Sequence, residues 1–170
     1  MTRAIFAILL FSLLVPSWAV GAGAAGKPKA LRSNEPIQIK SNELQTDNKA
    51  RTATFIGKVI AKQGDVTIYS DKMVVYNNEQ SDELDKVEVF GNVRIVQENR
   101  IGTGGHGVYL SKTGKIILDT NPKVYQGDDV VTGKVITYNL DDETSVVTGG
   151  PDTRVEAILH PKEKKNAPTP

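Results

Sequence analysis

Gln63-Gly64-Asp65-Val66-Thr67-Ile68-Tyr69-Ser70-Asp71-Lys72-Met73-Val74-Val75-Tyr76-Asn77 reads as a turn followed by a strand, and the chain writes this phrase twice. Gln126-Gly127-Asp128 opens the second copy, which reaches Tyr138-Asn139, 62 residues beyond Tyr76-Asn77. A companion phrase of glycine, a polar residue and valine closes Phe55-Ile56-Gly57-Lys58-Val59 and Val87-Glu88-Val89-Phe90-Gly91-Asn92-Val93-Arg94. It returns as Asn121-Pro122-Lys123-Val124 and, degenerate, as Gly150-Pro151-Asp152-Thr153-Arg154-Val155. The closing valines, from Val59 to Val155, are spaced by 34, 31 and 31 residues. Self-similarity at such a period marks stacked units, none of which buries its apolar face alone. The unit here is strand, turn and strand.

Working outward, Ala53, Phe55, Gly57, Val59 and Ala61 alternate with polar residues, as do Val87, Val89, Gly91, Val93 and Ile95. Period two over such lengths specifies half-buried strands. Val66, Ile68 and Ser70 share a face that Val74 and Tyr76 continue, while Met73 and Val75 point the other way. That conflict predicts a bulge near Asp71 or burial on both faces. Turns are expected at Asp47-Asn48-Lys49, Gln63-Gly64-Asp65, Lys112-Thr113-Gly114, Gln126-Gly127-Asp128 and Asp141-Asp142, with a loop over Asn77 to Lys86. No window keeps apolar residues at helical spacing, so the expected fold is all-β. Short strands with turns every 8 to 12 residues suit a sandwich, barrel or jelly roll, and the repeat makes it elongated.

The 170 residues suffice for one domain with a buried core. Cysteine is absent, which excludes a disulfide framework, thiolate metal sites and a lipidated N-terminal cysteine. Arg3 followed by the apolar run Ala4 to Val15, Pro16 and Ser17-Trp18-Ala19 has the layout of a signal peptide. Residues 1–19 are assigned to it, with cleavage as late as residue 24 an option, and an uncleaved anchor is the competing reading. Residues 20–34 then form a flexible leader, 35–159 the β-domain and 160–170 a Lys/Pro-rich disordered tail. Without residues 1–26 the chain has 20 basic and 20 acidic residues, a balance that argues against nucleic-acid binding.

Signals for chemistry are weak. Gly102-Thr103-Gly104-Gly105-His106-Gly107 fits the dinucleotide fingerprint literally, but a strand rather than a helix follows it. Glycines that permit a bulge or close backbone approach are the simpler explanation. His106 and His160 have no metal-ligand spacing. The acidic pairs Asp82-Glu83, Asp128-Asp129 and Asp141-Asp142 resemble glycosidase carboxylates, yet turn chemistry accounts for them. The sequence thus supports no enzymatic activity, no metal and no cofactor.

What remains is an apolar stripe: Ile37, Ile39, Phe55, Val59, Ile68, Val89, Ile95, Tyr109, Leu118 and Ile136, of which all but Val89 are taken as candidate lipid contacts. Each is ordinary core taken singly. Together, few aromatics and many Val, Ile, Gly and Thr residues fill a narrow core poorly, and an unfilled slot accepts acyl chains at about 0.8 kcal/mol per buried methylene.

Glu35-Pro36-Ile37-Gln38-Ile39-Lys40-Ser41-Asn42, Thr54-Phe55-Ile56-Gly57-Lys58-Val59, Gln63-Gly64, Ser70-Asp71-Lys72-Met73-Val74-Val75 and Phe90-Gly91-Asn92-Val93, in that order, resemble the OstA-like family of lipopolysaccharide-transport proteins. The resemblance covers residues 35–159. It implies a slightly twisted, antiparallel β-jelly-roll, open along one side, that works in the periplasm without catalysis. It also implies a groove for lipopolysaccharide acyl chains, and head-to-tail self-association through terminal strands. The partners it implies are a component of the inner-membrane transport complex and the amino-terminal domain of the outer-membrane translocon. Ile37 and Ile39 match a Pro-Ile-x-Ile pattern whose isoleucines face lipid, and Tyr109 and Ile95 match interior positions. Ser41-Asn42, Gly105-His106 and Gly133-Lys134 depart from the family pattern. An inner-membrane-anchored sibling of the pathway and a polysaccharide-binding β-repeat protein are the alternatives.

Overall fold

Gly57-Lys58 and Gly91-Asn92 fix the architecture, because all four residues have positive φ (81°, 50°, 72° and 47°) in the middle of long strands. Only glycine enters that region without cost, and asparagine tolerates it better than most residues. In the computed structural model, which describes residues 35–81 and 83–161, each such site bends its strand and interrupts the pairing register. A short polar side chain from the neighbouring segment closes each bend. A Cβ at Gly57 would lie 2.7 Å from Asn42 Nδ2, and one at Gly91 would collide with the Asp71 carboxylate. Asn92 Nδ2 donates to Asp71 Oδ2 at 2.8 Å. The Ser-Asp/Asn and Gly-polar-Val phrases of the repeat are therefore two halves of one corner.

Among the described residues, twelve antiparallel strands form a single sheet folded along these corners. In chain order they are β1 (Gln38–Lys40), β2 (Glu43–Asp47), β3 (Thr52–Gln63), β4 (Val66–Asn77), β5 (Leu84–Gln97), β6 (Arg100–Leu110), β7 (Lys115–Asp119), β8 (Lys123–Gln126), β9 (Asp129–Thr132), β10 (Val135–Asn139), β11 (Thr144–Thr148) and β12 (Glu156–Ile158). The four long strands β3–β6 cross the fold line and contribute to both limbs. On one limb they are flanked by β1 and by the run β8, β9, β12; on the other by β2 and by β7, β10, β11. Each limb is thus eight strands deep, about 35 Å at the usual strand spacing. The sheet is open, ending at β1 and β2 on one side and at β11 and β12 on the other. No helix occurs among the described residues. The signal-peptide and leader assignments lie outside the described residues, as does most of the proposed tail.

The bulge expected near Asp71 is present: β4 and β5 lose register between Tyr69 and Lys72. Its consequence corrects one sequence assignment. The bulge changes the phase of β4, so Met73 joins the buried cluster with Ala61 and Val89, whereas Val74 and Tyr76 lie on the outer face. Tyr76 there donates to Glu88 at 2.9 Å, beside Lys86. A second correction concerns the closing valines. Val59 pairs with Ser70 and Val93 with Gly104, but Lys123 pairs with Thr103, which leaves Pro122 rather than Val124 beside Gly104. Pro122 is accordingly among the most buried side chains with Val59 and Val93. Asp129, assigned to a turn, is the first residue of β9.

Candidate functional site: an apolar groove between the limbs

Strand pairing lines the inward residues up into rows that run the length of the molecule. On the first limb Ile39, Ala61, Ile68, Ile95, Gly102, Val124, Val131 and Ala157 are successive partners. On the second limb the row is Leu44, Phe55, Met73, Val89, Gly107, Leu118, Ile136 and Val147. A parallel row further from the fold line runs Ala53, Val75, Val87, Tyr109, Ile116 and Tyr138. Residues of both limbs meet in one cluster that includes Val59, Ala61, Met73, Val93 and Leu118. Near the fold line the limbs close on each other, and Val59 is only 1% exposed.

Further out the limbs diverge and leave space. One cavity of about 140 Å³ lies toward β1, lined by Ile37, Ile39, Ala61, Val66, Ile68, Met73, Val75, Leu84, Val87 and Tyr109, with Lys62 and Gln63 completing the lining. A larger one of about 270 Å³ lies toward β11, lined by Ile95, Gly102, Ile116, Leu118, Val124, Ile136 and Tyr138. Gln97, Arg100, Gln126, Glu143 and Ser145 complete its lining. The two cavities have no lining residue in common.

The sequence-derived candidates divide by position. Ile37, Ile39, Ile68 and Tyr109 line the smaller cavity, and Ile95, Leu118 and Ile136 the larger. Phe55 and Val59 belong to the packed cluster near the fold line and line neither cavity. Ile37 is 52% exposed at the end of the groove, whereas Tyr109 is 8% exposed. Met73, Val75 and Val87 were missed as lining residues, and the phase change at the bulge was the signal for the first two. Gly102 and Gly107 create room: a Cβ at Gly102 would stand 2.9 Å from Leu118 Cδ1, and one at Gly107 would stand 3.0 Å from Val89 Cγ2. The glycine-rich stretch therefore serves close approach. A Cβ at Gly104 would lie 2.8 Å from the Asp119 carbonyl oxygen.

Charged groups sit mainly on the outer face. Burial would raise the Glu88 carboxyl, but hydrogen bonds from Lys86 and Tyr76 outweigh that and hold it below the ordinary glutamate range. Asp119 is likewise held low, where bonds to His106 at 2.9 Å and Thr120 at 2.8 Å outweigh its burial. Among the described residues, no group of three or more His, Cys, Asp or Glu is placed to hold a metal ion. The second histidine, His160, donates its backbone N–H to Asp129 at 2.7 Å and ties the chain after β12 to β9.

The two limbs thus form an open, folded sheet with an apolar interior, and comparison with known proteins gives its family. Residues 38–144 match the model of the family described as LptA/(LptD N-terminal domain) LPS transport protein. The chain belongs to this family. Among its relatives, the lipopolysaccharide export system protein LptA of Haemophilus influenzae is 28% identical over 141 residues, covering 79% of this chain and 82% of the relative. LptA of Escherichia coli K12 is 27% identical over 139 residues, covering 77% and 74%. The fold is shared with the crystal structure of LptH, the LptA-homologous periplasmic component of the lipopolysaccharide transport device of Pseudomonas aeruginosa. The TM-score is 0.66 at 17% identity, over 75% of this chain and 96% of LptH. The OstA-like resemblance read from the sequence is thus upheld, as is the all-β, open, antiparallel architecture.

Proposed function

We propose that this chain is a periplasmic lipopolysaccharide-binding bridge that carries lipopolysaccharide from the inner to the outer membrane. Acyl chains lie between the limbs, and sugar and phosphate groups face solvent. One observation carries this reading: in-register apolar rows on both limbs face each other across space their own side chains leave unfilled. Each methylene transferred there from water contributes about 0.8 kcal/mol, and the rows offer that contribution continuously along the molecule. Relatives named as lipopolysaccharide export proteins support it. The lipid contacts are Ile37, Ile39, Ile68, Ile95, Tyr109, Leu118 and Ile136, while Phe55 and Val59 support them from the closed side of the groove. The bridge makes and breaks no covalent bond.

Among the described residues its ends are unpaired strand edges, β1 and β2 against β11 and β12. Such edges recruit further strands through main-chain hydrogen bonds. We assign them to head-to-tail self-association, to the inner-membrane transport complex and to the amino-terminal domain of the outer-membrane translocon. Residues 1–19 direct export and are removed, so the intact mass of the exported protein should lack them. A mass that retains them points instead to the membrane-anchored sibling.

A photoreactive residue at Ile39 or Tyr109, with exposed Lys49 as control, tests the lipid reading. Lipopolysaccharide adducts at the inward positions alone are expected. No adduct at either position in a folded protein returns the rows to ordinary core.

A further inference from the structure

The rim of the larger cavity carries a charge that shielding of acyl chains does not require. Val66, Gln97, Arg100, Gln126 and Asp129 are successive pairing partners on the first limb. They lie two residues out from the inward row Ile68, Ile95, Gly102 and Val124, and so face the same side of the sheet. This is the level at which the groove turns from apolar to polar. Gln97, Arg100 and Gln126 all line the larger cavity, and Gly102, directly beneath Arg100, has no side chain to fill the space below the guanidinium. Arg100 Nη1 reaches across the mouth to the Tyr138 hydroxyl on the other limb, a long 3.4 Å hydrogen bond that commits little of its five-donor fork. Among the described residues no carboxylate is within 4.0 Å of it. Glu143 lines the same mouth with the opposite charge.

We propose that Arg100 is an anion-binding residue at the rim of this cavity, holding the phosphate or similar anionic head group of an amphiphile whose chain fills the cavity below. The proposal rests on the groove reading above and adds head-group selectivity to it. Arginine suits the task, since its planar fork binds phosphate in a bidentate manner and stays charged. A neutral rim would shield chains equally well but would not distinguish head groups.

The test titrates the purified protein with dodecyl phosphate and with dodecyl maltoside, both as monomers, at low salt. The wild type should bind the phosphate about fivefold more tightly, the size expected of an exposed charge-assisted contact. Added salt should shrink that margin. Arg100→Gln should bring the two affinities together, Arg100→Lys should keep part of the preference, and Glu143→Gln should widen it. Lys49→Gln is the control for net charge. Inorganic phosphate at the same concentrations should displace neither amphiphile. Displacement of dodecyl phosphate alone would identify a free-anion site and overturn the head-group assignment. A preference that survives in Arg100→Gln, or is missing from the wild type while both amphiphiles bind, refutes the role of Arg100 and leaves the groove intact. Failure of both amphiphiles to bind removes the groove reading and this proposal together.

Discussion

Filling the larger cavity from Gly102 separates a lipid groove from an imperfect core. Gly102 sits in an extended strand on the inward row, and a Cβ there meets only the far end of Leu118, at 2.9 Å from Cδ1. Gly102→Val adds three carbons to the space between the limbs. Burying them is worth about 2 kcal/mol at roughly 0.8 kcal/mol per carbon, and valine suits a strand better than glycine. Displacing Leu118 from its rotamer returns about 0.5–1.5 kcal/mol. The variant should therefore be about 0.5–1.5 kcal/mol more stable than the wild type, measured as the shift in urea midpoint. A bound acyl chain, by contrast, loses the same three-carbon space, so affinity for an acyl probe should fall by about 2 kcal/mol, or roughly thirtyfold. Undiminished stability with lost binding is the signature of a functional cavity. Unchanged binding would refute the reasoning and mark the space as a packing defect.

Ile39→Asp places a carboxylate on the inward row beside the smaller cavity; because β1 is a short, half-exposed edge strand, the domain should stay folded by circular dichroism while lipopolysaccharide crosslinking is lost. Gly91→Ala combines a positive φ of 72° with a collision against Asp71, and chemical denaturation should show a loss of about 2–3 kcal/mol. Acid should weaken the fold through Glu88 and Asp119: their carboxyls are held low in the folded state, so their contribution is complete above the unfolded range near pH 4 and fades as pH falls further. Denaturation midpoints from pH 6 to pH 2.5 should show a shallower acid decline in Glu88→Gln than in the wild type.

Much of this was legible because a folded sheet repeats its instructions. The Gly-Lys-Val and Gly-Asn-Val phrases marked corners even before they were seen as corners, since glycine inside an alternating strand signals a bend or bulge. Alternation in β5 gave Val87, Val89 and Ile95 their inward side directly. In β4 it failed past Ser70, where a two-residue irregularity reverses which residues face the groove, and only Met73 and Val75 hinted at it. Phe55 and Val59 share the periodicity of the lining residues, yet distance from the fold line decides whether a residue is packed or borders open space, and periodicity does not encode that distance. Val124 resembles Val59 in its phrase but stands two residues further along because Pro122 takes the corner position. Arg100 left no trace in the pattern. A single cation after the Glu98-Asn99 turn looks like any solvated residue until pairing sets it above Gly102 and opposite Tyr138.

The most direct test of the central claim is a photocrosslinking scan along β4 with lipopolysaccharide, one position at a time from Val66 to Val75. The groove account predicts adducts at Val66 and Ile68, none at Thr67 or Tyr69, then a change of phase across the bulge, with adducts at Met73 and Val75 and none at Lys72 or Val74. Adducts of uniform yield along the strand, or a pattern that keeps its phase past Asp71, would contradict it.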